Sequence, residues 1–243
     1  MGHFSLSLCF DRTSTPDIGI IRGYRAMKKE ERLALLLETG VIAIMRAKSS
    51  QQLLAAADAI KAGGVNAIEV TMTTPGALEV ISQAVTKYGG DVLFGAGTVL
   101  DPESARAAIL AGAQFIVAPS LNLRMIEMCH RYTVPVIPGA YTPTEILTAW
   151  EAGADFVKVF PASIGGPEYI RALKAPFPQI RLMPVGGVDL DTTAAFIRAG
   201  ADLVAVGSAL LDQKLLDAQD FDTITERARR FREEVKRGRV STH

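Results

Sequence analysis

The sequence is poor in the residues that build covalent or metal frameworks. Its 243 residues contain two cysteines, Cys9 and Cys129, and three histidines, His3, His130 and His243. Two cysteines so far apart give neither a disulfide framework nor zinc-ligand spacing, and they suit a reducing compartment. Two of the histidines sit at the chain ends, so a histidine-rich catalytic metal site is excluded and no metal is expected. Charge of one sign is missing too: Lys+Arg and Asp+Glu both number 26. A balanced chain has no electrostatic footprint for nucleic acid or an anionic membrane, so any anionic ligand must be held by local groups. No apolar run approaches the roughly 20 residues that span a bilayer. These absences predict a cytoplasmic protein without nucleic-acid or membrane partners.

What is present is apolar: 49% of the residues are hydrophobic and 21% charged, enough for one large core. Residues 1–26 mix Ser, Thr, Gly and Arg without periodicity. Met27 then opens Lys-Lys-Glu-Glu-Arg and a Leu-rich helical pattern. We read residues 1–26 as a disordered leader or a misassigned start, with an organelle-type presequence as the rival, and 27–243 as a single domain.

From residue 41, short apolar runs recur about every 20 to 26 residues, each followed by a helical pattern. The runs are Val41–Arg46, Ala67–Met72, Leu93–Val99, Phe115–Ser120, Pro135–Ala140, Phe156–Ala162, Arg181–Gly187 and Leu203–Leu210. Helices are predicted over Ser50–Ala62, Pro102–Ala111, Leu123–Tyr132, Thr142–Ala152 and Asp191–Ala199, with caps at Ser49 and Asp101-Pro102. A second repeat, Ala62-Gly63-Gly64, Ala111-Gly112-Ala113, Ala152-Gly153-Ala154 and Ala199-Gly200-Ala201, closes helices just before strands. Eight strand–helix units predict an α/β fold of the (β/α)8 TIM-barrel class. An open doubly wound sheet would usually offer a glycine fingerprint after the first strand, and Arg46-Ala47-Lys48-Ser49 is not one.

In a barrel, function lies at the C-terminal ends of the strands. In Phe156-Val157-Lys158-Val159-Phe160 the period-two alternation puts Lys158 on the face of Phe156 and Phe160. Burial there lowers a lysine's pKa and gives access to the neutral amine that Schiff-base formation needs. In Ala67-Ile68-Glu69-Val70-Thr71-Met72, Glu69 shares its face with Ala67 and Thr71, placed for proton transfer. A plain buried ion pair between Glu69 and Lys158 accounts for both residues equally well at this level. Arg46 ends the first run and Thr98 the third, in Gly95-Ala96-Gly97-Thr98; a guanidinium and a hydroxyl suit a small carboxylate, although GxGT alone is merely a tight turn. The last two runs end in Val185-Gly186-Gly187-Val188 and Val206-Gly207-Ser208. Those are the two positions where barrels bind phosphate through backbone N–H groups. His130 and Trp150 read as surface and outer packing, the prolines Pro119, Pro138, Pro161 and Pro184 as strand terminators, and Arg227–Arg237 as a solvated helix face.

Ile44-Met45-Arg46, Ile68-Glu69-Val70-Thr71, Gly95-Ala96-Gly97-Thr98-Val99, Pro138-Gly139, Lys158-Val159-Phe160-Pro161-Ala162, Pro184-Val185-Gly186-Gly187-Val188 and Gly207-Ser208-Ala209-Leu210 resemble the 2-keto-3-deoxy-6-phosphogluconate (KDPG) aldolases, which also act as 4-hydroxy-2-oxoglutarate aldolases. The likeness runs from about residue 30 to about residue 237 in constant order. It implies a metal-independent class I aldolase with no cofactor, a homotrimer of (β/α)8 subunits with a short N-terminal helix before the first strand. Lys158 would form the Schiff base and Glu69 act as general acid and base. Arg46 and Thr98 would hold the pyruvyl carboxylate, and Gly186, Gly187, Gly207 and Ser208 the phosphate. Val185, Pro119 and Thr73 would be specificity positions.

Two departures bear on substrate. Met72-Thr73-Thr74 stands where many members carry an arginine, leaving the carboxylate to Arg46. Val185 replaces the threonine usual in the phosphogluconate branch and resembles the phosphogalactonate branch, which removes a hydroxyl and its hydrogen bond. The rival activities are 2-keto-3-deoxy-6-phosphogalactonate cleavage, another phosphate-binding barrel enzyme such as a sugar-phosphate epimerase or a thiamine-phosphate synthase-like transferase, and a silent phosphate-binding module.

Overall fold

A computed structural model describes residues 27–46 and 49–240; the reading of residues 1–26 as a leader lies outside the described residues. The helix after Met27 forms as α1 (Lys29–Thr39) and runs into β1 (Val41–Met45). There follow α2 (Ser50–Ala62), β2 (Ala67–Thr71), α3 (Ala77–Tyr88), β3 (Leu93–Gly97), α4 (Pro102–Leu110), β4 (Ile116–Val117), α5 (Leu123–Arg131), β5 (Val136–Ile137) and β6 (Gly139–Ala140). The chain ends through α6 (Pro143–Glu151), β7 (Val157–Val159), α7 (Gly166–Lys174), β8 (Leu182–Pro184), α8 (Leu190–Arg198), β9 (Val204–Val206), α9 (Gln213–Ala218) and α10 (Phe221–Val240). Every named strand pair is parallel, as alternating strands and crossover helices require.

The strands curl into two sheets, one of order β5-β4-β3-β2-β1-β9 and one of order β6-β7-β8, where the periodicity predicts eight strands in one ring. The fifth run is the reason. Pro138 has no N–H to give to a ladder, so Pro135–Ala140 is cut into β5 and β6. The sheets remain in touch on both flanks. Asp155 N donates to Val136 O at 3.0 Å and Lys158 N to Pro138 O at 2.9 Å. On the other side an isolated parallel bridge pairs Val185 with Ala205.

Side-chain parity divides the core. Odd residues of β1 and even residues of β2, such as Ala43, Met45, Ile68 and Val70, pack outward with the helices. The opposite parity forms an inner cluster, including Ile42, Ile44, Phe115, Phe156 and Met183, which Leu36 of α1 joins. Two arginines of α10 hold α1 in that position: Arg232 donates to the carbonyls of Glu38 and Thr39, and Arg239 to that of Leu37. They supply the cations that the last turn of α1 lacks. The remainder of α10 is amphipathic. Ile224, Ala228, Phe231 and Val235 are buried, while Arg229 pairs with Glu226 and Glu233 on the solvated face.

The repeated helix-closing glycines take positive φ at Gly64 (84°), Gly112 (101°), Gly153 (91°) and Gly200 (104°). Two residues after three of them stands a polar side chain that closes the start of the neighbouring strand. Gln114 Oε1 accepts from Phe94 N, Asp155 Oδ2 from Val136 N, and Asp202 Oδ2 from Leu182 N, each at 2.9 Å. The helices are capped as their sequences predict: Ser49 Oγ accepts from Gln52 N at 3.2 Å and Asp101 Oδ1 from Ser104 N at 2.6 Å. Among the described residues, no helix is long and apolar enough to cross a membrane.

Candidate active site

Both ionisable residues on apolar strands face the inner cluster. Lys158, at the centre of β7, is 5% exposed, and Glu69, at the centre of β2, is 1% exposed. Their neighbours on the outer face, Val157 with Val159 and Ile68 with Val70, pack against helices, as period two dictates. The local sequence makes room for the carboxylate. A Cβ on Gly97 of β3 would lie 1.8 Å from Glu69 Oε1, and a Cβ on Gly95 would lie 2.3 Å from the ring of Phe115. Gly95-Ala96-Gly97 is therefore a strand whose inward positions are empty, not the tight turn that GxGT suggests by itself.

Burial holds the Glu69 carboxyl above its ordinary range, opposed by the positive charges of Lys158 and Arg46. Burial holds the Lys158 amine below its ordinary range; Glu69 works against that shift and Arg46 with it. The groups thus sense one another, yet Glu69 Oε2 has no hydrogen-bond partner among the described residues. A buried carboxylate oxygen left unpaired is costly, and it remains available to a reacting group. Lys158 Nζ lies over the ring of Phe160, 5.0 Å from its centroid.

Phe160 also belongs to a cleft of about 370 Å³, lined as well by Arg46, Val185, both glycine turns and Asp189. Gly186 and Gly187 have φ of 86° and 77°, conformations that L side chains rarely adopt. A Cβ on Gly187 would meet Ser163 Cβ at 2.5 Å, whereas one on Gly207 would meet nothing within 4 Å. Gly207 therefore faces open space. Its loop is tied back by Leu210 N and Leu211 N, which donate to Gly207 O at 3.0 and 2.9 Å.

Of the sequence-predicted residues, Arg46, Val185, Gly186, Gly187, Gly207 and Ser208 line the cleft; Glu69 and Lys158 do not, and are linked to it by the charge of Arg46, which acts on both. Thr98, Thr73 and Pro119 are not among the residues lining that cleft. Thr98 follows Gly97 with φ 57°, an unusual left-handed conformation for a β-branched residue. The Thr73 hydroxyl hydrogen-bonds that of Thr71 at 3.0 Å, and Thr71 is fully buried on the face of Glu69. The backbone of Pro119 lies so close to Gly139 that a Cβ there would be 2.3 Å from its carbonyl carbon. His130 is exposed, its Nε2 2.9 Å from Gly153 O, and Trp150 packs on the outer cluster, as predicted.

Phe160 and Asp189 are among the cleft residues outside the set of candidate site residues that the sequence singles out. Parity groups Phe160 with Lys158 without giving it a role, and a helix begun at Asp191 passes over Asp189. A signal for Asp189 is present all the same: Asp is a favoured N-cap residue just before a helical pattern, and it caps α8. Among the described residues, no group of three His, Cys, Asp or Glu side chains is placed to hold a metal ion.

Comparison with known proteins adds an independent line. Residues 33–227 match the family described as KDPG and KHG aldolase. The chain is 38% identical over 186 residues to the 2-dehydro-3-deoxy-phosphogluconate aldolase of Treponema pallidum, covering 76% of this chain and 88% of that one. It is 40% identical over 171 residues to the 2-dehydro-3-deoxy-6-phosphogalactonate aldolase of Escherichia coli, covering 70% and 83%. Among solved structures it is similar to the KDPG aldolase of Legionella pneumophila with pyruvate captured at low pH as a covalent carbinolamine intermediate. That likeness has a TM-score of 0.76 at 27% identity and covers 81% of this chain and 96% of that one.

Proposed function

The chain belongs to the KDPG and KHG aldolase family, and from that premise we propose that it is a class I aldolase cleaving 2-keto-3-deoxy-6-phosphogluconate to pyruvate and glyceraldehyde 3-phosphate. The same site would cleave 4-hydroxy-2-oxoglutarate to pyruvate and glyoxylate. One observation carries the reading: a buried lysine and a buried, incompletely paired glutamate share the inward face, and Arg46, which acts on both charges, lines a glycine-walled cleft.

In this mechanism the neutral Lys158 amine attacks the C2 ketone, and Glu69 passes protons while the carbinolamine loses water to an iminium. The iminium nitrogen then accepts the electron pair of the breaking C3–C4 bond as Glu69 takes the C4 hydroxyl proton. Glyceraldehyde 3-phosphate leaves, and protonation and hydrolysis of the enamine return pyruvate and free Lys158. Arg46 and Thr98 orient the carboxylate, and the N–H groups of Gly186, Gly187, Gly207 and Ser208 receive the phosphate. Pro119 and Thr73 are kept as specificity positions. The two sheets are read as halves of one (β/α)8 barrel; the Val185–Ala205 bridge and the Lys158-to-Pro138 hydrogen bond support this. The subunit, residues 27–243, would assemble as a cytoplasmic homotrimer, giving three times the chain mass in sedimentation.

A second reading, cleavage of the phosphogalactonate epimer, is favoured by Val185, which lines the cleft without a hydroxyl to offer C4. Pyruvate release from both C4 epimers, for the wild type and Val185→Thr, separates the two. The variant is expected to shift the kcat/KM ratio toward the gluconate epimer by about tenfold, the scale of one specific hydrogen bond. EDTA should leave both rates unchanged. No pyruvate from either epimer would contradict the aldolase reading.

A further inference from the structure

The charge of the cleft does not match the ligand end that the proposed reaction brings to it. Of the side chains lining the cleft, two carry formal charge, Arg46 and Asp189. Arg46 acts electrostatically on both Glu69 and Lys158, and the proposed reaction commits its guanidinium to the carboxylate. The other end is built from Gly186, Gly187, Gly207 and Ser208, which bring N–H groups and a hydroxyl but no cation. Asp189 stands two residues beyond Gly187 at this cation-free end.

The side chain of Asp189 is held in place. Its Oδ1 accepts from Thr192 N at 2.8 Å and lies 2.7 Å from Thr192 Oγ1, while Asp189 N donates to Thr192 Oγ1 at 3.0 Å. This reciprocal cap puts a carboxylate on the N-terminus of α8, and Asp191 adds a second in the first turn. The positive pole of that helix, which would otherwise favour a bound anion, is already answered by the protein's own charge.

Resting on the aldolase reading of this cleft, we propose that Asp189 is a specificity-determining residue. Its carboxylate penalises a doubly charged phosphate ester relative to an uncharged hydroxyl at the same end of the substrate. The cleft therefore separates phosphorylated from unphosphorylated 2-keto-3-deoxy sugar acids less steeply than its glycine turns alone would.

The test compares cleavage of 2-keto-3-deoxy-6-phosphogluconate and unphosphorylated 2-keto-3-deoxygluconate by the wild type and Asp189→Asn. Asparagine keeps the cap and removes the charge. The KM ratio, unphosphorylated over phosphorylated, is expected to rise about three- to tenfold in the variant at low salt, and the gain should shrink at high ionic strength where charges are screened. Asp189→Ser, a second uncharged cap, should reproduce the shift. A ratio that does not move, or moves equally at low and high salt, overturns the inference and leaves the aldolase reading intact. Failure of the wild type to cleave either compound overturns that reading and the inference with it.

Discussion

A lysine carries a strongly hydrated point charge on a flexible stem, and the burial of Lys158 removes that hydration. Glu69 suffers the same loss and leaves one oxygen unpaired. The proposed chemistry is placed here at the expense of stability, and the cost depends on pH. Because the Lys158 amine lies below its ordinary 10.5, the unfolded chain binds more protons between the native value and 10.5, and stability rises with pH through that window. Because the Glu69 carboxyl lies above its ordinary 4.5, the native chain binds more protons between 4.5 and the native value, and stability falls as pH rises through that window. Replacing both, Lys158→Met with Glu69→Gln, should raise urea-unfolding stability by about 1–3 kcal/mol near neutral pH while abolishing cleavage. The gain should diminish toward pH 4.5 and toward pH 10.5. A double variant less stable than the wild type at every pH would mean that the pair is structural.

At the scale of elements, most of the architecture is legible because parity and helix period leave direct marks. The faces of β1, β2 and β7 and the extents of α2 and α4 follow the sequence closely. The break at Pro138 is less so: its residues are apolar throughout, and only the missing N–H separates β5 from β6. The strand-start caps leave a fainter mark still. The glycine repeat draws attention to helix ends, while Gln114, Asp155 and Asp202, at a fixed offset from those glycines, serve the neighbouring strands. Gln114 is 2% exposed, so Gln114→Ala would strand the buried N–H of Phe94. We expect a loss of about 1–3 kcal/mol in urea unfolding, with cleavage retained under native conditions. An unchanged unfolding midpoint would remove this role.

For the whole molecule, a net charge of zero means that the proposed anion capture falls to a few groups. Arg46 and the glycine turns come from strands spread between residues 46 and 208, and parallel topology brings them to one cleft. That convergence is legible in the sequence, since every member shares the inward parity or ends a strand. The depth of Glu69 against Gly97 is not, because it depends on packing between segments distant in sequence; Asp189 shows only a local capping signal, with nothing to mark it as a cleft residue. Lys158 as the nucleophile is the claim on which the rest depends. Borohydride reduction in the presence of pyruvate, followed by peptide mass analysis, tests it most directly. The expected result is a three-carbon adduct on the peptide containing Lys158 and none in Lys158→Ala; an adduct on another lysine, or no adduct at all, would contradict it.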